Sequence, residues 1–231
     1  MSGKPPQCAK CPLVLCYPNI AADETPSFDK APGFCPSVLK EDIVRKSVLE
    51  YQRDDLREFA RLASVQEREC YEKTPDGLRT KIPRIEETIQ LAHKNGFKRL
   101  GLAFCVGVMN EARMITGILE TKGFDVVSVC CKVGATPKEV LGIGEEEKIS
   151  GPGRYESMCS PITQAEVLNS EDVDFAILMG LCVGHDTLFI KYCKAPMTVL
   201  AVKDRVTGHN PLAAVYLSQS YYSRLILPSS A

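Results

Sequence analysis

The sequence predicts an α/β protein: a mostly parallel sheet of strand order 2-1-3-4 with helices on both faces, preceded by a cysteine-rich segment and helices. Three observations predict it. From Arg99 onward, short apolar runs alternate with amphipathic stretches, the pattern of repeated βαβ units. Those runs are continuously apolar, as in strands covered on both faces. Residues 1–37, by contrast, hold many prolines and few periodic apolar positions, too few to form a core of their own.

Taken in order, residues 1–37 read as a cysteine-rich metal-binding segment, 38–96 as a helical region, and 97–231 as the α/β domain. Leu39, Ile43, Val48, Leu56, Phe59 and Ala63 recur at helical spacing, which predicts one long or once-broken helix from Val38 to about Tyr71 with Ser37 as its N-cap. Thr74-Pro75-Asp76-Gly77 is a turn. Pro83 opens a second helix through Ile85, Ile89 and Ala92, stopped by Gly96, with His93 solvated near its end.

Strands are expected at Arg99–Cys105, Asp125–Cys131, Phe175–Leu181 and Thr198–Val202. Helices are expected at Asn110–Lys122, Gln164–Leu168 and Thr187–Tyr192, with a last one capped by Asn210-Pro211 and running through Leu217. Residues 132–161, carrying two glycine pairs, an acidic run and Cys159, form a connection long enough to act as a lid or binding loop.

Composition narrows the function. With 231 residues, 45% hydrophobic and 25% charged, the chain has material for one sizeable core. Its formal charge of −1 supplies no broad cationic field for nucleic acid or an anionic membrane. No stretch is apolar enough to span a bilayer, and the first residues lack the apolar core of a secretory signal, so a cytoplasmic protein is expected. The sequence has no Gly-x-Gly-x-x-Gly or Walker pattern, no Gly-x-Ser-x-Gly elbow and no His-Glu-x-x-His helix. Dinucleotide cofactors and familiar hydrolase mechanisms are therefore not predicted.

The eleven cysteines carry the chemistry. In a reducing compartment such a surplus points to metal ligation or thiol chemistry rather than disulfides. Cys8, Cys11, Cys16 and Cys35 supply a full four-thiolate metal set. One Cys-x2-Cys knuckle followed by two isolated cysteines, with Pro12 and Pro36 after Cys11 and Cys35, favours an iron–sulfur cluster, of [4Fe–4S] type, over zinc.

The tripeptide Cys-Val-Gly ends two predicted strands, at Cys105 and again at Cys182, each time just before a helix. In a sheet of order 2-1-3-4 those strands are neighbours whose connections leave in opposite directions, which opens a crevice at their carboxyl ends. Helix N-termini there favour the thiolate. Cys105, Cys182 and His185 are thus candidate catalytic residues. Cys130, Cys131, Cys159, His209, Lys203 and Arg205 are expected on the same rim as binding groups, with only one of Cys130 and Cys131 facing the crevice. A second metal at this rim is one reading of the set. Cys70 and Cys193, on helices, read as packing residues.

The cluster Cys8-Ala9-Lys10-Cys11, the stretches Ala103–Gly107 and Gly180–Asp186, and Lys203–Pro211 resemble an uncharacterised prokaryotic family labelled as metal-binding proteins, over nearly the whole chain. The resemblance implies metal binding, with Cys8, Cys11, Cys16 and Cys35 as ligands, and implies no particular activity. The expectation is a Rossmann-like redox or electron-transfer protein with an N-terminal iron–sulfur site, a second thiol-rich site at the crevice, and a redox partner protein or small molecule. A non-catalytic zinc-binding or sensing module and a thiol-based sulfur-transfer enzyme are the alternatives.

Overall fold

The structure is a computed structural model that describes residues 5–228. The chain divides into two compact units, Met1–Ser64 and Val65–Ala231.

In the first unit a single turn of 3-10 helix, Cys8–Lys10, precedes an extended stretch and then the helices α1 (Pro36–Leu39) and α2 (Glu41–Glu50). A third helix, α3 (Asp54–Glu69), begins in this unit and ends in the next. The single or once-broken helix expected from Val38 is therefore interrupted twice. Pro36, with its fixed φ, occupies the first position of α1, so the helix starts there with Cys35 and not Ser37 as the flanking residue. Lys40, outside helical geometry at φ −129°, makes the first break. At the second, the Arg53 guanidinium bridges Glu50 and Asp55, closing the corner on itself. None of the described residues up to Ser64 is buried.

The second unit opens on a hairpin, β1 (Tyr71–Thr74) and β2 (Gly77–Thr80), around the turn residues Pro75 and Asp76. These four-residue strands are polar and exposed, so they carry no apolar signal; only their turn is legible in the sequence. Helix α4 (Arg84–Lys94) follows Pro83, burying Ile89 and Ala92. Then come β3 (Arg99–Phe104), α5 (Met109–Thr121), β4 (Asp125–Cys130), α6 (Pro161–Ser170), β5 (Phe175–Met179), α7 (His185–Tyr192), β6 (Met197–Ala201) and the short α8 (Leu212–Tyr216).

The four strands from β3 to β6 form one parallel sheet in the order β4-β3-β5-β6. Helices cover both of its faces. A side-chain methyl at Gly101 would lie 2.8 Å from Leu168 of α6, so that face of β3 is pressed directly against α6. Phe104, of opposite parity, shares a cavity wall with Met109 and Ala112 of α5. On that same face, as Phe175 pairs with Leu100, Phe175 meets Thr88 and Leu91 of α4, and Arg84 donates to Val199 O at 2.8 Å and Thr198 Oγ1 at 2.9 Å on β6. The core consists of β3 and β5 with Leu119, Leu168 and Phe189.

One polar side chain inside this core bears on the site. Gln164 of α6 is fully buried, and its Nε2 donates to the carbonyls of Phe104 (3.1 Å) and Val129 (2.7 Å), the last turns of β3 and β4. Replacing Gln164 with Ala removes both bonds and leaves a cavity, so Gln164→Ala is expected to lower stability by about 1–3 kcal/mol. Urea-induced unfolding of the variant against the native chain measures the loss.

Candidate functional site

Strands β3 and β5 lie side by side, yet the chain leaves β3 through α5 toward β4 and leaves β5 through α7 toward β6. The two Cys-Val-Gly turns therefore stand together at the carboxyl edge of the sheet, where diverging connections leave room for a ligand. A cavity of about 380 Å³ occupies that place. Cys105, Cys159, Cys182, His185, Lys203 and Arg205 all line it.

Cys105 follows the last residue of β3, and Cys131 follows the last residue of β4. Because Phe104 pairs with Cys130, the two cysteines occupy equivalent positions on adjacent parallel strands, and the Cys131 amide donates to Phe104 O at 2.8 Å. Cys131 is 1% exposed. Its carbonyl accepts the Ser160 amide at 2.7 Å, which brings Cys159 to its other side. Three cysteines thus gather at this corner, Cys131 lying between Cys105 across the register and Cys159 next to Ser160, with the Val106 amide donating to Cys131 Sγ at 3.3 Å.

These contacts set the protonation pattern. The hydrogen bond from Cys131, helped by the Gly107 amide and the Lys203 ammonium, holds the Cys105 thiol down to about 4 against the opposing effect of burial. The hydrogen bond from Cys131 does the same for Cys159, held to about 5 with lesser help from Lys132 and His185. Cys131 is driven up by those bonds and by its own burial, and it stays a thiol.

On the other turn, Arg205 Nη2 donates to Cys182 Sγ at 3.0 Å, a charge-assisted contact from the loop after β6. That loop is braced internally. Asp204 accepts the amides of Val206 and Thr207, and its own amide donates to His209 Nδ1 at 3.1 Å. His209 thus holds the loop and is not among the residues lining the cavity; neither is Cys130. Cys131, which is buried, does not line the cavity either. His185 Nδ1 is buried and lacks a hydrogen-bond partner among the described residues. Gly107 lies beside both groups: a methyl there would sit 3.4 Å from Lys203 Nζ and 3.8 Å from Cys105 Sγ, ordinary contact distances.

Sequence reasoning missed Lys132, Lys138 and Glu156, which line the same cavity from the long connection. No local motif marks them, because they meet only when the connection folds back on itself. An isolated bridge between Pro137 and Ser157 pins it, Lys138 pairs with Glu156 at 2.5 Å, and Lys132 Nζ donates to Ser157 O at 2.6 Å. Farther out, the Lys148 ammonium, only 3% exposed, sits between Glu139 and Glu145 at 2.5 Å from each. Cys70 and Cys193 lie apart from the cavity, and burial pushes both thiols up.

In the first unit, Cys8, Cys11, Cys16 and Cys35 line a second cavity, of about 130 Å³, walled by Val14, Leu15, Phe28 and Phe34. The Gln7 amide reaches Phe34 O at 3.3 Å, which folds the far cysteine back to the first two. Among the described residues, no three His, Cys, Asp or Glu side chains are placed to hold a metal ion.

Residues 35–200 match the family described as "Protein of unknown function (DUF1847)". The chain belongs to the DUF1847 family. It is also 37% identical over 221 residues, covering 96% of this chain and 98% of the relative, to uncharacterized protein MJ0455 of Methanocaldococcus jannaschii. Within this DUF1847 chain the matched region runs from Cys35 through β6. It contains the three contacting thiols, Cys182 and His185, whereas Cys8, Cys11, Cys16, Lys203 and Arg205 fall outside it. No helix of the described DUF1847 chain is long and apolar enough to cross a membrane.

Two outcomes follow from the electrostatics. Replacing Lys203 with Met is expected to move the midpoint of the pH dependence of iodoacetamide modification of Cys105 up by about one unit, while that of Cys159 moves less. Peptide mass spectrometry of timed samples reads both rates. Separately, Lys138 first, then the Ser150 amide, hold the Glu156 carboxyl to about 2, below its ordinary 4.5. A depressed carboxylate stabilises in full above its ordinary value and loses that contribution as pH falls toward its folded value. Protection against amide exchange in residues 145–156, taken relative to the intrinsic rate at each pH, is therefore expected to fall below about pH 4, ahead of β3 and β5, as followed by hydrogen–deuterium exchange.

Proposed function

We propose that the protein is a thiol-based redox protein whose reaction site is the cavity at the carboxyl edge of the sheet and whose N-terminal cysteines carry a metal group. The observation that carries this reading is the convergence of Cys105, Cys159 and Cys182 in one cavity with cationic groups set against them. A thiolate is the form that attacks electrophilic sulfur or carbon, and neighbouring cations and hydrogen-bond donors are what sustain it. The strand order and the crevice between diverging connections support a Rossmann-like reading of the domain.

The four N-terminal cysteines fit a thiolate-ligated group. They line one cavity with largely apolar walls and no carboxylate or imidazole among its lining residues, the donor set of an iron–sulfur centre or of a Cys₄ zinc site. The single Cys-x2-Cys knuckle followed by two isolated cysteines, with proline after Cys11 and Cys35, supports a cluster over one zinc. Cys8, Cys11, Cys16 and Cys35 would hold it, and when bound it supplies one-electron transfer. At the rim the sulfur contacts run between cysteines, and no second metal is proposed there. A cytoplasmic location, with its reducing poise, suits free thiols of this kind.

The test is made on anaerobically purified full-length chain. Iron, zinc and acid-labile sulfide are measured per chain for the native protein and for Cys11→Ser, and iodoacetamide labelling at pH 6 is mapped by mass spectrometry. Iron and sulfide that fall in Cys11→Ser, with Cys105 and Cys159 labelled at least tenfold faster than Cys70 and Cys193, are expected. Zinc alone together with uniformly slow rim thiols would overturn the reading in favour of a non-catalytic zinc module.

A further inference from the structure

Resting on that reading of the rim, we propose that Cys159, Cys131 and Cys105 form a disulfide-exchange relay that reduces small, carboxylate-bearing disulfides and stores the two oxidising equivalents as a Cys105–Cys131 disulfide.

The geometry distinguishes the three sulfurs. Cys131 is 1% exposed and does not line the cavity, so an outside molecule has no route to it, yet it stands in register beside Cys105, and its carbonyl accepts the amide of Ser160, the residue next to Cys159. That is the position of an internal resolving thiol. Cys159 lines the cavity and is half-buried on the connecting segment, whereas Cys105 is buried at the end of β3, which makes Cys159 the more accessible entrance. Cys105 and Cys131 sit at equivalent positions on adjacent parallel strands. Strands lie about 4.8 Å apart, inside the separation a disulfide spans, and side chains of equal parity point to the same face.

The chemistry closes without an outside catalyst. The Cys159 thiolate attacks one sulfur of the substrate disulfide, and the S–S bond breaks to release one thiolate and leave a mixed disulfide on Cys159. Cys131 attacks the Cys159 sulfur, and its proton goes to the substrate sulfur that this attack expels, which leaves as the thiol. The Cys105 thiolate then attacks Cys131, forms the Cys105–Cys131 bond and restores Cys159 as a thiolate. The substrate gains two electrons and leaves as one thiol and one thiolate, which takes its proton from water; Cys105 and Cys131 lose the two electrons.

The charge around the cavity sets the substrate class. Lys132, Lys203 and Arg205 line it without a carboxylate partner among the described residues, and the one lining carboxylate, Glu156, is taken by Lys138. Cations facing the opening attract an anionic disulfide and repel a cationic one.

The experiment exposes reduced full-length protein to oxidised glutathione, which carries carboxylates, or to cystamine, which is dicationic, and maps disulfides by mass spectrometry after acid quenching. Native protein is expected to form Cys105–Cys131 without retained glutathione, about tenfold faster with glutathione than with cystamine. Cys131→Ser is expected to trap glutathione on Cys159, and Cys105→Ser to stop at Cys131–Cys159. Circular dichroism verifies each fold, and should Cys131→Ser fail to fold, Cys105→Ser decides alone. A glutathione adduct that stays on Cys182, no internal disulfide in native protein, or equal rates with the two reagents would overturn the proposal. Fast rim alkylation in the presence of such a result would leave the thiol-redox reading standing, whereas slow alkylation would remove both.

Discussion

One buried amide holds together the edge on which everything else depends. The Nε2 group of Gln164 is shared between the carbonyls of Phe104 and Val129, so the ends of β3 and β4 are clamped from the α6 face just before each strand delivers a cysteine. A parallel pair has no tight turn to fix its ends. Here the clamp and the amide of Cys131 on Phe104 O do that work, and two sulfurs come to rest at matching positions. The close approach of α6 depends in turn on Gly101, where any side chain would run into Leu168 and Val173. Packing at one residue thus sets the distance at which a polar side chain several positions along can reach two strands.

Opposing forces meet at those sulfurs. Burial disfavours a thiolate, yet both Cys105 and Cys159 are carried well below the ordinary thiol range because hydrogen bonds and fixed cations outweigh the loss of water. The balance holds only because the middle cysteine absorbs the proton. Cys70 and Cys193 show the other limit: with burial dominant, their thiols move up. The same residue type is therefore held as a thiol in one place and drawn toward the thiolate in another, and the difference lies in what surrounds the sulfur.

Much of this was legible in the chain. The continuous apolar runs at β3 and β5 and the helical spacing between them gave the layered α/β arrangement, because a strand buried on both faces leaves an unmistakable composition. The repeated Cys-Val-Gly turn located Cys105 and Cys182 at neighbouring strand ends. What it could not give was which sulfur meets which. The partner of Cys105 is Cys131, chosen by the register of β3 against β4, while Cys182 meets Arg205 from a loop after another strand. Register is a property of pairing, and adjacent cysteines such as Cys130 and Cys131 carry no mark of their parity. The basic groups of the long connection were hidden for a similar reason, since Lys138 and Glu156 become neighbours only through the bridge between Pro137 and Ser157. The breaks around Lys40 and Arg53 were lost because apolar spacing persists across both.

The absence of any buried side chain among residues 5–64 gives the two units different thermodynamic characters. The heat-capacity change of unfolding comes from apolar surface newly exposed to water. Melting the sheet unit releases Leu100, Ile177, Phe189 and their neighbours, and carries nearly all of that change. Ordering the N-terminal residues hides little such surface, so their structure gains little from the hydrophobic effect and its temperature dependence. Under the proposed reading, a metal group bound by the four thiols would supply that free energy instead, and the order of the segment would follow the ligand's chemical potential more than temperature.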